Sequence, residues 1–83
     1  MFFVYILKSI KSGTYYIGCT NDIERRLKEH NSGISIYTKT DKPWKLCYNE
    51  AFNSLSEARK RENQIKSWKK RKAIEKLIQA PIV

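Results

Sequence analysis

The chain predicts an α+β fold: a small three-stranded antiparallel sheet flanked by helices, in the order β-β-α-β-α-α. Three observations carry this. The N-terminal run Phe2 to Leu7 is apolar at every position and rich in β-formers, as a central strand covered on both faces requires. Two strong helix-start signals, at Asn21 and Ser54, each stand before a stretch of helical periodicity. Between them, Trp44 to Phe52 alternates apolar and polar side chains, with Trp44, Leu46 and Tyr48 set against Lys45, Cys47 and Asn49.

Taken in order, Lys11-Ser12-Gly13 reads as a turn after the first strand, and Thr14 to Cys19 as a second strand close enough to form a hairpin with it. Asn21 with Glu24 three residues on can satisfy orphan backbone donors reciprocally, so the first helix is expected from about Asp22 to Asn31. Asn31-Ser32-Gly33 ends it with left-handed cap chemistry. A polar loop containing Tyr37, Lys39 and Lys42 then leads to Pro43 and the third strand. Ser54-Leu55-Ser56-Glu57 is a capping box, which opens a second helix running to about Trp68 or Lys69. The basic run Lys69-Lys70-Arg71-Lys72 separates that helix from a last amphipathic segment carrying Ile74, Leu77 and Ile78, which Pro81 stops. No repeat or linker interrupts the order.

Eighty-three residues suit one domain, and a chain of this length buries only about 60 to 65% of its unfolded surface. Two Trp, five Tyr and three Phe must therefore supply much of the core. Seventeen Lys plus Arg against eight Asp plus Glu give a net charge of +9, so the expected partner is a polyanion. Nucleic acid is preferred to a membrane surface, because no stretch joins a long apolar face to basic flanks. Cys19, Cys47 and one His are too few ligands for a structural zinc site, and the cysteines are expected as small buried hydrophobes in a reducing cytoplasm. Phe2 to Leu7 is too short for a signal segment, and nothing approaches a membrane span.

Glu62 is the residue that periodicity makes conspicuous. It falls at helical three- and four-residue steps with Leu55, Ala58 and Ile65, so a carboxylate is expected on the buried stripe of a basic helix. Such a group needs a cation, a metal or hydrogen bonds, and an intrahelical pair with Lys66 is the plain alternative to a functional role. On the first helix Ile23 and Leu27 define the inward stripe. Arg26 and His30 fall within or beside it, while Glu24, Arg25, Lys28 and Glu29 fall outward. The strands add Tyr5 and Tyr16, whose hydroxyls need partners if buried. Taken singly, each group reads as ordinary structure: a snorkelling arginine, a satisfied histidine, core tyrosines. Together they are what phosphodiester hydrolysis requires. A phenol or imidazole takes the proton of water, a guanidinium grips phosphate, and one carboxylate can hold a divalent metal whose shell is completed by water and phosphate.

Phe3-Val4-Tyr5, Tyr16-Ile17-Gly18, Arg26, His30 and Glu62, in this order and spacing, resemble the GIY-YIG nuclease domain over nearly the whole chain. The likeness is to the small stand-alone bacterial members, comparable to the nuclease domain of the UvrC excision-repair protein, which share the stretch Ala58 to Trp68 with Glu62 and Lys66. The resemblance implies a metal-dependent DNA endonuclease, of a kind used in repair or recombination. It assigns Tyr5 and Tyr16 to the water and scissile phosphate, with Tyr5 the first choice of general base. Arg26 would stabilise the developing charge, His30 would assist proton transfer or position a tyrosine, and Glu62 would bind a single Mg²⁺ or Mn²⁺. The first motif departs from Gly-Ile-Tyr, Cys19 stands where some members have lysine, and Ile74 where several have an asparagine. Lys39, Lys42, Lys45, Lys66, Lys69, Lys70, Arg71 and Lys72 are the expected phosphate grips. Charge and motif do not separate DNA from RNA, and double-strand cutting would call for a homodimer or an accessory protein. The rival expectations are a noncatalytic nucleic-acid-binding module on the same fold and an adaptor that docks on an acidic protein.

Overall fold

The computed structural model describes residues 1–34 and 38–79, so Tyr37 and Pro81 lie outside the described residues. Its elements follow the expected order: β1 (Phe2–Ser9), β2 (Tyr15–Thr20), α1 (Ile23–Ser32), β3 (Trp44–Phe52), α2 (Leu55–Ser67) and α3 (Arg71–Gln79). The sheet is antiparallel with β1 in the middle, order β2-β1-β3. That position explains the apolar run. Val4 and Ile6 face a core with Ile17, Ala58 and Ile65, against which Trp68 and the α3 residues Ile74, Leu77 and Ile78 pack. Tyr5 and Leu7 face the opposite way, into a second core with Trp44 flanked by Tyr16, Ile23 and Leu27. One face therefore carries α2 and α3, and the other carries α1.

Several boundaries differ from expectation. β1 runs on to Ser9 because it pairs with β3 as far as Trp44, and β2 begins at Tyr15 rather than Thr14. Thr14 instead supplies the carbonyl that accepts from Ser9 N at 2.8 Å, beside a turn in which Gly13 takes φ +76°. The β1–β3 ladder slips between Ile6 and Leu7, where Tyr48 and Leu46 are the partners, leaving Cys47 as the extra residue of a bulge. The cap of α1 is Asp22, not Asn21: Asp22 is extended and its carboxylate accepts from Arg25 N at 3.1 Å. The Asn21 amide oxygen accepts from the Arg25 guanidinium instead, also at 3.1 Å. Gly33, at φ +84°, closes α1 in the left-handed conformation that its lack of Cβ permits.

Ser54 caps α2 by accepting from Glu57 N at 3.2 Å. The basic run proves to be divided rather than a spacer. Lys69 takes a left-handed φ of +53° at the bend, while Arg71 and Lys72 already lie in the first turn of α3. Both cysteines are free and half-buried. No helix among the described residues is long and apolar enough to cross a membrane.

Candidate active site

The site is built outward from β1. Tyr5 pairs directly across the ladder with Gly18 of β2, and Leu7 with Tyr16, so Tyr5, Tyr16 and Gly18 share the face that α1 covers. A Cβ on Gly18 would lie 2.5 Å from the Tyr5 hydroxyl and 2.6 Å from Cζ. The absent side chain is thus the slot in which the phenol lies. Tyr5 is only 1% exposed, and the Tyr16 ring sits 6.3 Å from it between centroids.

α1 brings His30 beneath both tyrosines, fully buried, with its ring 4.8 Å from that of Tyr16. Its Nε2 is 3.0 Å from the Tyr5 hydroxyl and its Nδ1 is 2.8 Å from Thr38 Oγ1. Thr38 is held in turn by the Trp44 indole N–H, which donates to the Thr38 carbonyl at 2.8 Å. Asn31 fixes Trp44 by accepting from its backbone N–H and donating to its carbonyl at 3.0 Å. The C-terminal end of α1, the loop after it and the start of β3 are locked around the histidine.

Arg26 lies one turn before His30 on α1. Its guanidinium donates to Glu29 at 2.7 Å, so Glu29, expected outward, is half-buried as this partner. The lever is sequence-local: at three residues' separation the two side chains are neighbours on the helix surface. The electrostatics tie the group together. Burial pushes the Tyr5 phenol up to about 12; Arg26 opposes this by hydrogen bonding and charge, while Tyr16 and Glu62 add to it. Burial lowers the His30 pKa, and the nearby Arg26 charge lowers it further against a smaller pull from Glu29. Burial acts to lower the Arg26 pKa as well, but the hydrogen bond to Glu29 and the nearby Tyr5 oxygen outweigh it and keep the guanidinium firmly charged.

Glu62 projects between Ala58 and Ile65 as periodicity required, with its side chain 13% exposed. The plain pair also forms: Lys66 Nζ donates to the carboxylate at 2.7 Å. Lys66 is its only hydrogen-bond partner among the described residues; no hydrogen bond or ion pair joins Glu62 to Tyr5, Tyr16, His30 or Arg26, and on Tyr5 its charge is the smallest of the influences. Among the described residues no group of three or more His, Cys, Asp or Glu is placed to hold a metal ion. One half-buried carboxylate suits a hard cation that draws most of its ligands from water and phosphate, and does not suit a zinc cage or a two-metal centre. The chemistry of the donor set therefore fits a single Mg²⁺ or Mn²⁺.

Of the basic groups, Lys39, Lys42, Lys45, Lys69, Lys70 and Lys72 are exposed and form no ion pair among the described residues. Lys39 and Lys42 lie against Gly33 at the end of α1. Lys66 is engaged by Glu62, and Arg71 is shared between Glu75 at 3.6 Å and the face of the Tyr15 ring at 4.8 Å. Four features escape sequence reasoning: Thr38, Glu29, the role of Gly18, and a strut joining α2 to β3. In the strut Arg61 donates to Glu50 from Nε at 3.0 Å and from Nη2 at 3.1 Å, and the Tyr48 hydroxyl donates to the same carboxylate at 2.6 Å. Only the Arg26–Glu29 spacing offered a local signal.

The chain resembles known proteins along most of its length. The GIY-YIG catalytic domain family matches residues 1–76. A UPF0213 protein of Staphylococcus saprophyticus is 42% identical over 73 residues, spanning 87% of this chain and 88% of its own. One from Halobacterium salinarum is 45% identical over 67 residues, spanning 80% and 86%. The solution NMR structure of a UPF0213 protein from Bacillus halodurans superposes with a TM-score of 0.58 at 39% identity, covering 94% of this chain and 83% of that one. With the two tyrosine motifs on one sheet face and a family match from Met1 through most of α3, the chain belongs to the GIY-YIG catalytic domain family of nucleases.

Proposed function

We propose that the protein is a divalent-metal-dependent endonuclease that hydrolyses DNA phosphodiester bonds. The observation that carries this reading is the buried Tyr5–His30 hydrogen bond of 3.0 Å, set beside a charged Arg26. A phenol pushed up to about 12 is ionised in only about one molecule in 10⁵ at pH 7, so it needs a group to receive its own proton when it takes one from water. His30 supplies that group. Burial and Arg26 keep the imidazole neutral, with a free lone pair near neutral pH.

The water proton passes to Tyr5 Oη as the phenol proton passes to His30 Nε2, and the water oxygen bonds to phosphorus. The leaving oxygen departs with the electrons of the broken P–O bond and is protonated from solvent. Arg26 binds the equatorial phosphoryl oxygens with N–H groups aimed at developing charge. Tyr16, on the same face, orients water or phosphate. Glu62 would hold the divalent cation, which when bound supplies Lewis-acid stabilisation of the leaving oxygen. The exposed lysines position the backbone without reading sequence. A domain of 83 residues has little surface for base contacts, which favours structured DNA, such as the intermediates of repair or recombination, over a sequence-defined site. One such centre cuts one strand, so double-strand cutting would take a second copy or an accessory protein.

The test is nicking and cleavage of supercoiled, branched and single-stranded DNA with Mg²⁺ or Mn²⁺. Tyr5→Phe, Arg26→Ala and Glu62→Gln should each lose about 10²- to 10⁴-fold in rate. Equal residual cutting by all four proteins would mean a contaminating nuclease and end the proposal. The Lys66–Glu62 pair favours one second reading, a nucleic-acid-binding module without turnover. DNA binding that survives Glu62→Ala, together with a wild type indifferent to Mg²⁺, would decide for it.

A further inference from the structure

We infer that Thr38 is a positioning residue: its Oγ1 lies 2.8 Å from His30 Nδ1, where accepting from Nδ1–H would hold the imidazole in the tautomer that offers Nε2 to Tyr5. The catalytic consequence rests on the nuclease reading. The two contacts of the ring rest on the geometry, and the tautomer is inferred from them and from the need for Nε2 to receive the Tyr5 proton.

A neutral imidazole has one N–H and one lone pair, so its contacts with Thr38 and Tyr5 must be of opposite sense. Among the described residues no other group bonds to either ring nitrogen. The groups that face His30 besides these two are the Tyr16 ring from β2 and, from its own helix, Arg26 and Glu29. Arg26 is donor-only, so its charge near the Tyr5 hydroxyl offers that hydroxyl no acceptor. If Nε2 carried the proton, the phenol would accept from Nε2–H and the imidazole would offer it no lone pair to receive its own proton. With the proton on Nδ1 the phenol donates to Nε2 and keeps its own lone pairs for a proton from water. The same arrangement also serves the product of the transfer. When His30 becomes an imidazolium, Nδ1–H still donates to the Thr38 oxygen, and no buried hydroxyl has to turn.

The surroundings fit a rigid positioning role. Thr38 is fully buried, and its carbonyl accepts from both the Trp44 indole at 2.8 Å and Asp41 N at 3.2 Å. Trp44 is itself anchored to Asn31 of α1, the residue after His30.

The experiment uses the full chain labelled with ¹⁵N, and two-bond proton–nitrogen correlation at the His30 ring near neutral pH. Wild type and Thr38→Ser should show Nδ1 protonated, and Thr38→Val should show a mixture or the Nε2–H form. The Trp44 indole resonance should stay in place throughout, since valine keeps the carbonyl it bonds. In cleavage assays Thr38→Val should lower kcat by about 10- to 10³-fold with little change in KM, and Thr38→Ser should restore most of it. A wild type in the Nε2–H form, or a Thr38→Val protein with unchanged tautomer, overturns the inference. Tautomers as expected in a wild type that cuts nothing would uphold the placement of Thr38 while overturning the nuclease reading.

Discussion

Gly18→Ala turns the slot under Tyr5 into a measurement. Gly18 lies in an extended strand with no left-handed φ, where replacing glycine by alanine ordinarily gains about 0.5–1 kcal/mol from reduced chain entropy. Here the added Cβ would meet the Tyr5 hydroxyl at 2.5 Å, Cζ at 2.6 Å and Cε1 at 3.0 Å. Carbon contacts settle near 3.5 Å, so the ring must retreat by roughly 1 Å. It is stiff, 1% exposed, and bonded at its far end to a buried histidine, so the retreat is not absorbed by a free side chain. The substitution should therefore cost about 1–3 kcal/mol rather than gain stability. For a domain of this size that is a fall in Tm of about 4 to 24 °C, read by circular dichroism. The same displacement moves the hydroxyl off its 3.0 Å contact, and a shift of about 1 Å at a reacting group costs on the order of 10² in rate. Because both changes act through one hydroxyl, Gly18→Ala added to Tyr5→Phe should cut the rate no further. A Gly18→Ala protein with raised Tm and undiminished nicking would refute the placement of Tyr5 in that slot.

Three further expectations come from the same geometry. His30 is buried neutral with its folded pKa below the unfolded value of about 6.5, so the unfolded chain binds more protons between the two values. Stability should be level above pH 6.5, fall as pH drops toward the folded pKa and flatten below it; urea midpoints for wild type and His30→Gln test this, and the variant should lose the slope. Lys69, Lys70 and Lys72 changed together to Gln should weaken duplex DNA binding equally for all sequences. Titration at several salt concentrations should show the slope of log affinity against log salt reduced by about 2–3. Arg61→Ala removes the guanidinium bonds to Glu50, whose carboxyl is pushed up by burial but held below the usual range by Arg61 and Tyr48. Denaturant unfolding should show a loss of about 1–3 kcal/mol, with cleavage per folded molecule unchanged.

Particular residues show how far the chain could be read. The unbroken apolar run of β1 announced burial on both faces, and both faces are covered. Ser54 with Glu57 and the glycine at position 33 marked helix ends that the backbone keeps. The start of α1 was harder, because Asn21 and Asp22 are both good caps and only the backbone angles choose between adjacent residues. The basic run read as a spacer because charge is silent about where a left-handed bend will fall. Helical periodicity put Glu62 and His30 inward, but it could not say that Lys66 would take the one or Thr38 the other.

By itself, then, the order of amino acids determined the strands, the helices, their buried faces and the inventory of a phenol, a guanidinium, an imidazole and a carboxylate. Those are local matters, set by the two- and 3.6-residue repeats of side-chain direction and by cap chemistry. Only the tertiary structure decided the pairings: Tyr5 over Gly18, Tyr5 with His30 at a separation of 25 residues, and Arg61 with Glu50 across 11. Each is set by strand register and helix docking, in which the packing of two whole cores outweighs any preference that the paired residues carry alone.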